Sequence, residues 1–336
     1  MKRLSDCCRG LRRRGRPARG SVVAATMHYR LEHRRPIDTA IAQLRFSPDG
    51  ERLALLTGDK KNSVQLLQCS DLAPLGAPRF LRHDLAFAGD GALFVAGKTI
   101  QRHELAEAGV GKATLSIDGD KKGLTQIAAS PDGRWLALHK HLDDLELWYL
   151  GDAQPTRRAS VRASVLVELG FRPDSGQLWF TSRVSSPLQL QTIDLDPAGS
   201  DLRPTPIRPL PGVFVYSPVR AAPGGLVAVS DQHADLVLLE WGAAEPRPLG
   251  LRALWGDRFP EDLAVSPDGS HVAVTARDSD THLRVSAAAL AGDAEPFTFR
   301  WEGRTTSTAV ALTAGGARLA VARRTSPSTL YMFLKT

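Results

Sequence analysis

One short unit recurs seven times along the 336-residue chain and limits the fold more than any other feature. It reads FSPDGERLAL at Phe46–Leu55. It returns as FAGDGALFV at Phe87–Val95, ASPDGRWLAL at Ala129–Leu138, FRPDSGQLWF at Phe171–Phe180, AAPGGLVAV at Ala221–Val229, VSPDGSHVAV at Val265–Val274 and LTAGGARLAV at Leu312–Val321. Successive copies begin 41, 42, 42, 50, 44 and 47 residues apart. In each, an apolar strand ends, a Pro-Asp-Gly type turn reverses the chain and a second apolar strand begins. Proline pre-sets φ, aspartate hydrogen-bonds the local backbone and glycine accepts the positive φ of a tight reversal. A regular period of this kind means a repeat architecture in which each unit buries its faces against its neighbours.

A period of roughly 40–45 residues is that of a β-propeller blade. The strands after the turns, such as Leu53-Ala54-Leu55, Leu136-Ala137-Leu138, Val272-Ala273-Val274 and Leu319-Ala320-Val321, are apolar on both faces. That suits a strand held between two neighbouring sheets. Third strands alternate (Val64-Gln65-Leu66, Leu145-Glu146-Leu147-Trp148, Leu188-Gln189-Leu190, Leu283-Arg284-Val285) and are expected farther from the axis, partly solvated. Fourth strands are indistinct, as at Pro78–Leu81 and Ala294–Trp301, which fits an exposed edge. The fold class is therefore all-β: a seven-bladed propeller with four-stranded blades. The last copy supplies only three strands, around Ala309–Leu312, Arg318–Ala322 and Leu330–Leu334, while Met27–His33 belongs to no blade. This N-terminal strand is expected to close the last blade.

The repeated SPDG-plus-apolar-strand unit resembles the repeats of the WD-repeat and TolB-like propeller superfamily over about residues 27–336. It departs from the eukaryotic WD pattern. No Gly-His pair opens the repeats and no Trp-Asp pair ends a third strand, Leu147-Trp148-Tyr149 coming nearest. The resemblance implies an interaction platform, although some propellers of this kind are lactonases, periplasmic accessory proteins or lids on hydrolases. A shared fold does not fix a function.

The net charge of +7 suggests nucleic acid until it is located: residues 1–26 hold eight basic side chains and one acidic, and the rest of the chain is balanced. Arg12, Arg13 and Arg14 are thus the only candidates for nucleic-acid or anionic-membrane contact. Arg-, Gly- and Pro-rich sequence without aromatics reads as a solvated tail, or as an upstream start with Met27 the true beginning. Ser21–Thr26 is too short for a secretory apolar segment, and no run long enough to span a membrane exists. With three cysteines, two of them adjacent in the tail, no disulfide framework or zinc pair is expected. The expected setting is soluble and cytoplasmic.

Loops between second and third strands share one face with the loops entering each blade. His139-Lys140-His141 with Asp143 and Asp144 has two imidazoles near carboxylates, but no third ligand; a polar hairpin explains it equally, and no metal is expected. Asp278-Ser279-Asp280 and Asp118-Gly119-Asp120 lack the later glutamate of a calcium loop. No G-x-S-x-G nucleophile elbow or phosphate-cradling glycine motif occurs, so no catalytic residue and no cofactor is assigned. The most unusual insertion is LWGDRFPE at Leu254–Glu261, where Trp255 and Phe259 flank Asp257 and Arg258. Aromatics with arginine are favoured at the centres of protein interfaces; the competing reading has Trp255 covering a blade edge and Phe259 packing beneath the loop. The leading expectation is a non-enzymatic scaffold binding a protein or peptide through Trp255, Asp257, Arg258 and Phe259. The alternative is a small-molecule enzyme of lactonase type with His83, His141, His233, Arg183 and Arg277 near the channel mouth.

Overall fold

The computed structural model describes residues 28–336 apart from 59–61, 78, 81–82, 107–108, 119–123, 141–143, 164, 184–186, 200–201, 214–217, 231–234, 244, 256–259, 278–281, 291–295, 303–307 and 324–326. The basic tail and Met27 lie outside the described residues.

Seven four-stranded antiparallel sheets form among these residues, one for each copy of the repeat. Their inner strands are Ile41–Phe46, Asp84–Phe87, Leu124–Ala129, Leu166–Phe171, Arg220–Ala222, Pro260–Val265 and Thr308–Leu312. Each touches the next, and the seventh touches the first, so they surround a single axis. The sheets are numbered here as blades 1–7 in this order. Seven apolar clusters fill the spaces between them, one at each blade–blade junction. The second strands divide their side chains between two of these clusters: Leu53 and Leu55 pack towards blade 7, Ala54 and Leu56 towards blade 2. This is why they are apolar on both faces.

The turns meet the chemistry expected of them. In blade 1 the Ser47 N–H donates to the Arg52 carbonyl, the Ser47 hydroxyl accepts from the Arg52 N–H, and Asp49 accepts from Glu51 N–H. Blades 3 and 6 repeat the set with Ser130/Asp132 and Ser266/Asp268, and Thr313 replaces the serine in blade 7. Burial works against Asp268, but hydrogen bonds from Ser266, Ser270 and Gly315 hold its carboxyl down to about 2. Neighbouring turns also touch. The Ser175 hydroxyl accepts from Asp132 N–H, and Gly315 N–H donates to Asp268. Gly89 replaces the proline in blade 2 because any Cβ there would overlap the Pro131 carbonyl of blade 3.

The expected closure occurs. Tyr29–Ile37 pairs antiparallel with Ser328–Lys335, Tyr29 opposite Lys335 and Ile37 opposite Ser328, as the outer strand of blade 7. Tyr29 donates its hydroxyl to the Gly316 carbonyl in the blade 7 turn, and burial pushes its phenol up. On the other side of the seam, Arg318 bonds the Gly50 carbonyl and Glu51 of blade 1.

Two expectations need correction. The third strands alternate as expected at Gln65, Gln189 and Arg284, which are half-buried, but Glu146 is buried, because Lys140, Arg157 and the Trp148 indole surround its carboxylate. Outer strands are also not uniformly weak. That of blade 2, Gly109–Asp118, is ten residues long and pairs with Thr99–Ala106.

The closure yields a direct test. Deleting residues through Ile37 leaves Ser328–Lys335 as an open edge and is expected to give aggregated protein in size-exclusion chromatography. Tyr29→Phe keeps the strand but strands the Gly316 carbonyl, and should cost about 1–2 kcal/mol in urea unfolding.

Candidate functional site

The inner strands present two levels of side chains to the axis. Counting four residues back from the turn serine, or from the residue in its place, blades 1–7 carry Gln43, Asp84, Gln126, Glu168, Pro218, Asp262 and Ala309. Two residues back they carry Arg45, Ala86, Ala128, Gly170, Arg220, Ala264 and Ala311. A register shift just before the four-back position occurs in blades 1, 3, 4 and 6. Such bulges re-aim the side chain that follows, and Gln43, Gln126, Glu168 and Asp262 all line the channel.

The polar level encloses about 130 Å³. Within it, the Arg220 guanidinium bridges Glu168 at 2.7 Å and Asp262 at 3.2 Å. Burial opposes the charge on Arg220, but these two carboxylates outweigh it and raise its pKa. Asp262 also accepts from the Val310 N–H at 3.2 Å, and Asp84 accepts from the Ile127 N–H at 2.6 Å. Each carboxylate thus reaches from its own blade to the inner strand of the next. Asp84 is only 4% exposed, and burial pushes its carboxyl up to about 6 against the pull of the Ile127 and Leu85 amides and Arg45. Arg45 is depressed by burial and by Arg220. Towards the turn face the channel widens into a vestibule of about 260 Å³, walled by apolar groups that include Phe46, Leu169, Val265 and Leu312 and, at its inner end, by Arg45, Glu168 and Arg220.

The loop residues singled out from sequence are dispersed. Trp255 is 1% exposed and packs between blades 5 and 6 with Leu236, Leu254 and Val274. It therefore offers no apolar surface; the packing alternative holds for it. A single 3₁₀ turn at Arg252–Leu254 tucks it inward, and Asp235 anchors the approach by accepting from the Gly250 and Leu251 amides. Asp257, Arg258, Phe259, His141 and His233 lie outside the described residues, as do Arg12, Arg13 and Arg14. Arg183 follows the second strand of blade 4, half-buried, with its N–H on the Val165 carbonyl. Arg277 ends the second strand of blade 6. His83 is exposed at the entry to blade 2. These last three belong to blades 2, 4 and 6.

Among the described residues no group of three His, Cys, Asp or Glu side chains could hold a metal ion, and no helix is long and apolar enough to cross a membrane. Cys69 is a free, buried thiol pushed up to about 12 by burial. The channel carboxylates and amides were missed by attention to loops, yet they have a signal: in blades 1, 2, 3, 4 and 6 an acid or amide stands four residues ahead of the turn position, within a largely apolar strand.

No family model matches the sequence, and no curated protein matches it. Among solved structures, the β-propeller domain of Cps50 (Swd1) from Myceliophteria thermophila superposes with a TM-score of 0.64 at 13% identity, covering 92% of this chain and all of that domain. This likeness establishes the shared seven-bladed fold. It leaves the TolB-like part of the resemblance unsupported.

The position of Asp84 makes a pH test possible. Its folded pKa lies above the unfolded value, so the folded protein takes up a proton on going from about pH 6 to pH 4 that the unfolded chain does not. Wild type should therefore gain stability relative to Asp84→Asn as pH falls from 8 to 5, by roughly 1.4 kcal/mol. Urea titrations of both proteins across that range check the sign. A gain in the opposite direction would mean that Asp84 is held as the carboxylate by Arg45.

Proposed function

We propose that the protein is a non-enzymatic propeller scaffold that holds a protein or peptide partner on its loop-bearing face. The observation that carries this reading is Val165, at the entry to blade 4. It is 47% exposed and holds φ at +52°, a left-handed conformation that β-branched residues avoid. Strain of this kind costs on the order of 1–3 kcal/mol and gathers at functional positions. An exposed apolar side chain contributes little folding energy to offset it. Its carbonyl is fastened by Arg183 N–H, so an apolar group and an arginine stand side by side on that face. The likeness to the propeller domain of Swd1 supports a platform role of the same general kind. The enzyme alternative draws on His83, Arg183 and Arg277 and on His141 and His233, the last two outside the described residues.

The test separates binding from folding. Val165→Gly removes both the strain and the apolar contact, and is expected to raise folding stability by about 0.5–1 kcal/mol. The same variant, combined with Arg183→Glu, should capture from native cell extract a set of proteins lacking one that the wild type retains. Urea unfolding and quantitative mass spectrometry of the captured proteins read the two effects. Identical capture by wild type and double variant would remove this part of the face from the proposal.

A further inference from the structure

The vestibule at the turn end of the channel lies on the face opposite the loops. We propose that it is a binding site for a small monocarboxylate with an apolar body, the carboxylate received by Arg45 and the Trp179 indole N–H and the body lying against Phe46, Leu169 and Val265. This inference is independent of the scaffold reading.

Two donors, one with spare capacity and one without an acceptor, point to the carboxylate. At the level of Arg45 the other blades present Ala86, Ala128, Gly170, Ala264 and Ala311, with Arg220 the one other long side chain. Arg220 is committed to Glu168 and Asp262. Arg45 is not: its guanidinium bonds the Leu44 carbonyl of its own strand at 3.1 Å and makes no ion pair within 4 Å among the described residues. A guanidinium has five N–H donors, so most of its capacity is unused. Asp84 does not supply the acceptor, since its oxygens are turned to the Leu85 and Ile127 amides.

The second donor is Trp179. It is 3% exposed and lies opposite Gly170 across the hairpin of blade 4. The edge of its indole covers Gly170 on the side facing the channel, Nε1 lying 3.2 Å from where a Cβ would stand. That N–H is buried and has no acceptor. Native proteins seldom leave a buried donor unpaired, and each case calls for an explanation such as a missing ligand. Arg45 and Trp179 line the same vestibule from blades 1 and 4, and a carboxylate accepts through two oxygens.

Size and wall chemistry define the rest of the ligand. Phe46, Leu169 and Val265 are each partly exposed into the vestibule. Its volume of about 260 Å³ exceeds the roughly 150 Å³ that admits benzene in an apolar cavity. An aromatic ring on a short chain therefore fits, with its charged end towards the axis.

The probe is 3-phenylpropionate, titrated calorimetrically into the full chain, with 3-phenylpropanamide and the peptide acetyl-Gly-Gly-Phe with a free carboxylate as comparisons. Saturable one-site binding is expected, with the amide weaker by about tenfold or more. Arg45→Gln should lose binding by about tenfold or more. Trp179→Phe should weaken it about three- to tenfold in the folded protein, with a melting temperature lowered only as far as the smaller ring loosens its packing on Val219 and Leu226. If Arg45→Gln fails to fold, the Trp179→Phe result decides. The proposal is overturned by no saturable binding up to about 10 mM, by equal binding of acid and amide, or by unaltered affinity in the variants that fold. Tighter binding of the peptide than of the free acid overturns it too, since the site would then receive chain termini.

Discussion

Seven strands cannot crowd around one axis unless most of their inward side chains are small. That constraint sets the level at which Ala86, Ala128, Gly170, Ala264 and Ala311 stand, and it leaves room for only two long side chains, Arg45 and Arg220. The adjoining level carries Gln43, Asp84, Gln126, Glu168 and Asp262. Charges brought this far from bulk water are costly unless paired. Glu168 and Asp262 meet that condition through Arg220, and Asp84 meets it through amides. The chemistry of the channel is thus a consequence of its geometry.

Among the described residues the strand contacts between blades run chiefly to the next blade. Apolar clusters supply the bulk of each junction, and directional bonds fix its register: Asp84 to Ile127, Asp132 N–H to Ser175, Asp262 to Val310, Asp268 to Gly315 N–H and Arg318 to Gly50. Stability in such an array is close to a sum of units and nearest-neighbour terms. A ring adds one more junction than an open stack of the same units, and that extra junction is the seam between blades 7 and 1.

The blades were legible because their signals are local. A turn serine or threonine, an aspartate two residues on and a glycine lie within four residues, and period-two strands flank them. The closing strand was legible by elimination, though it runs Tyr29–Ile37 and so extends beyond the Met27–His33 read from sequence. The site was harder for a physical reason. Arg220 meets Glu168 and Asp262 across gaps of 52 and 42 residues, and only the ring brings them together. Trp255 carried two readings, an interface aromatic and a packed one, and its spacing favours the second. Leu251, Leu254 and Trp255 recur as an apolar face, and all three are buried.

The seam also has a mechanical character. Tyr29 stands opposite Lys335, and the Thr336 N–H bonds the His28 carbonyl, so both ends of the closing pair lie at the same end of the blade. Tension applied through the two ends loads these cross-strand bonds one after another, starting at Tyr29 and Lys335 and moving towards Ile37 and Ser328. Bonds loaded singly part at lower force than bonds sheared together, so the ring opens by unzipping its outermost strand before any blade comes apart. Tension along the chain would therefore act first as a clasp release, turning a closed ring into an open one that still carries six intact four-stranded blades.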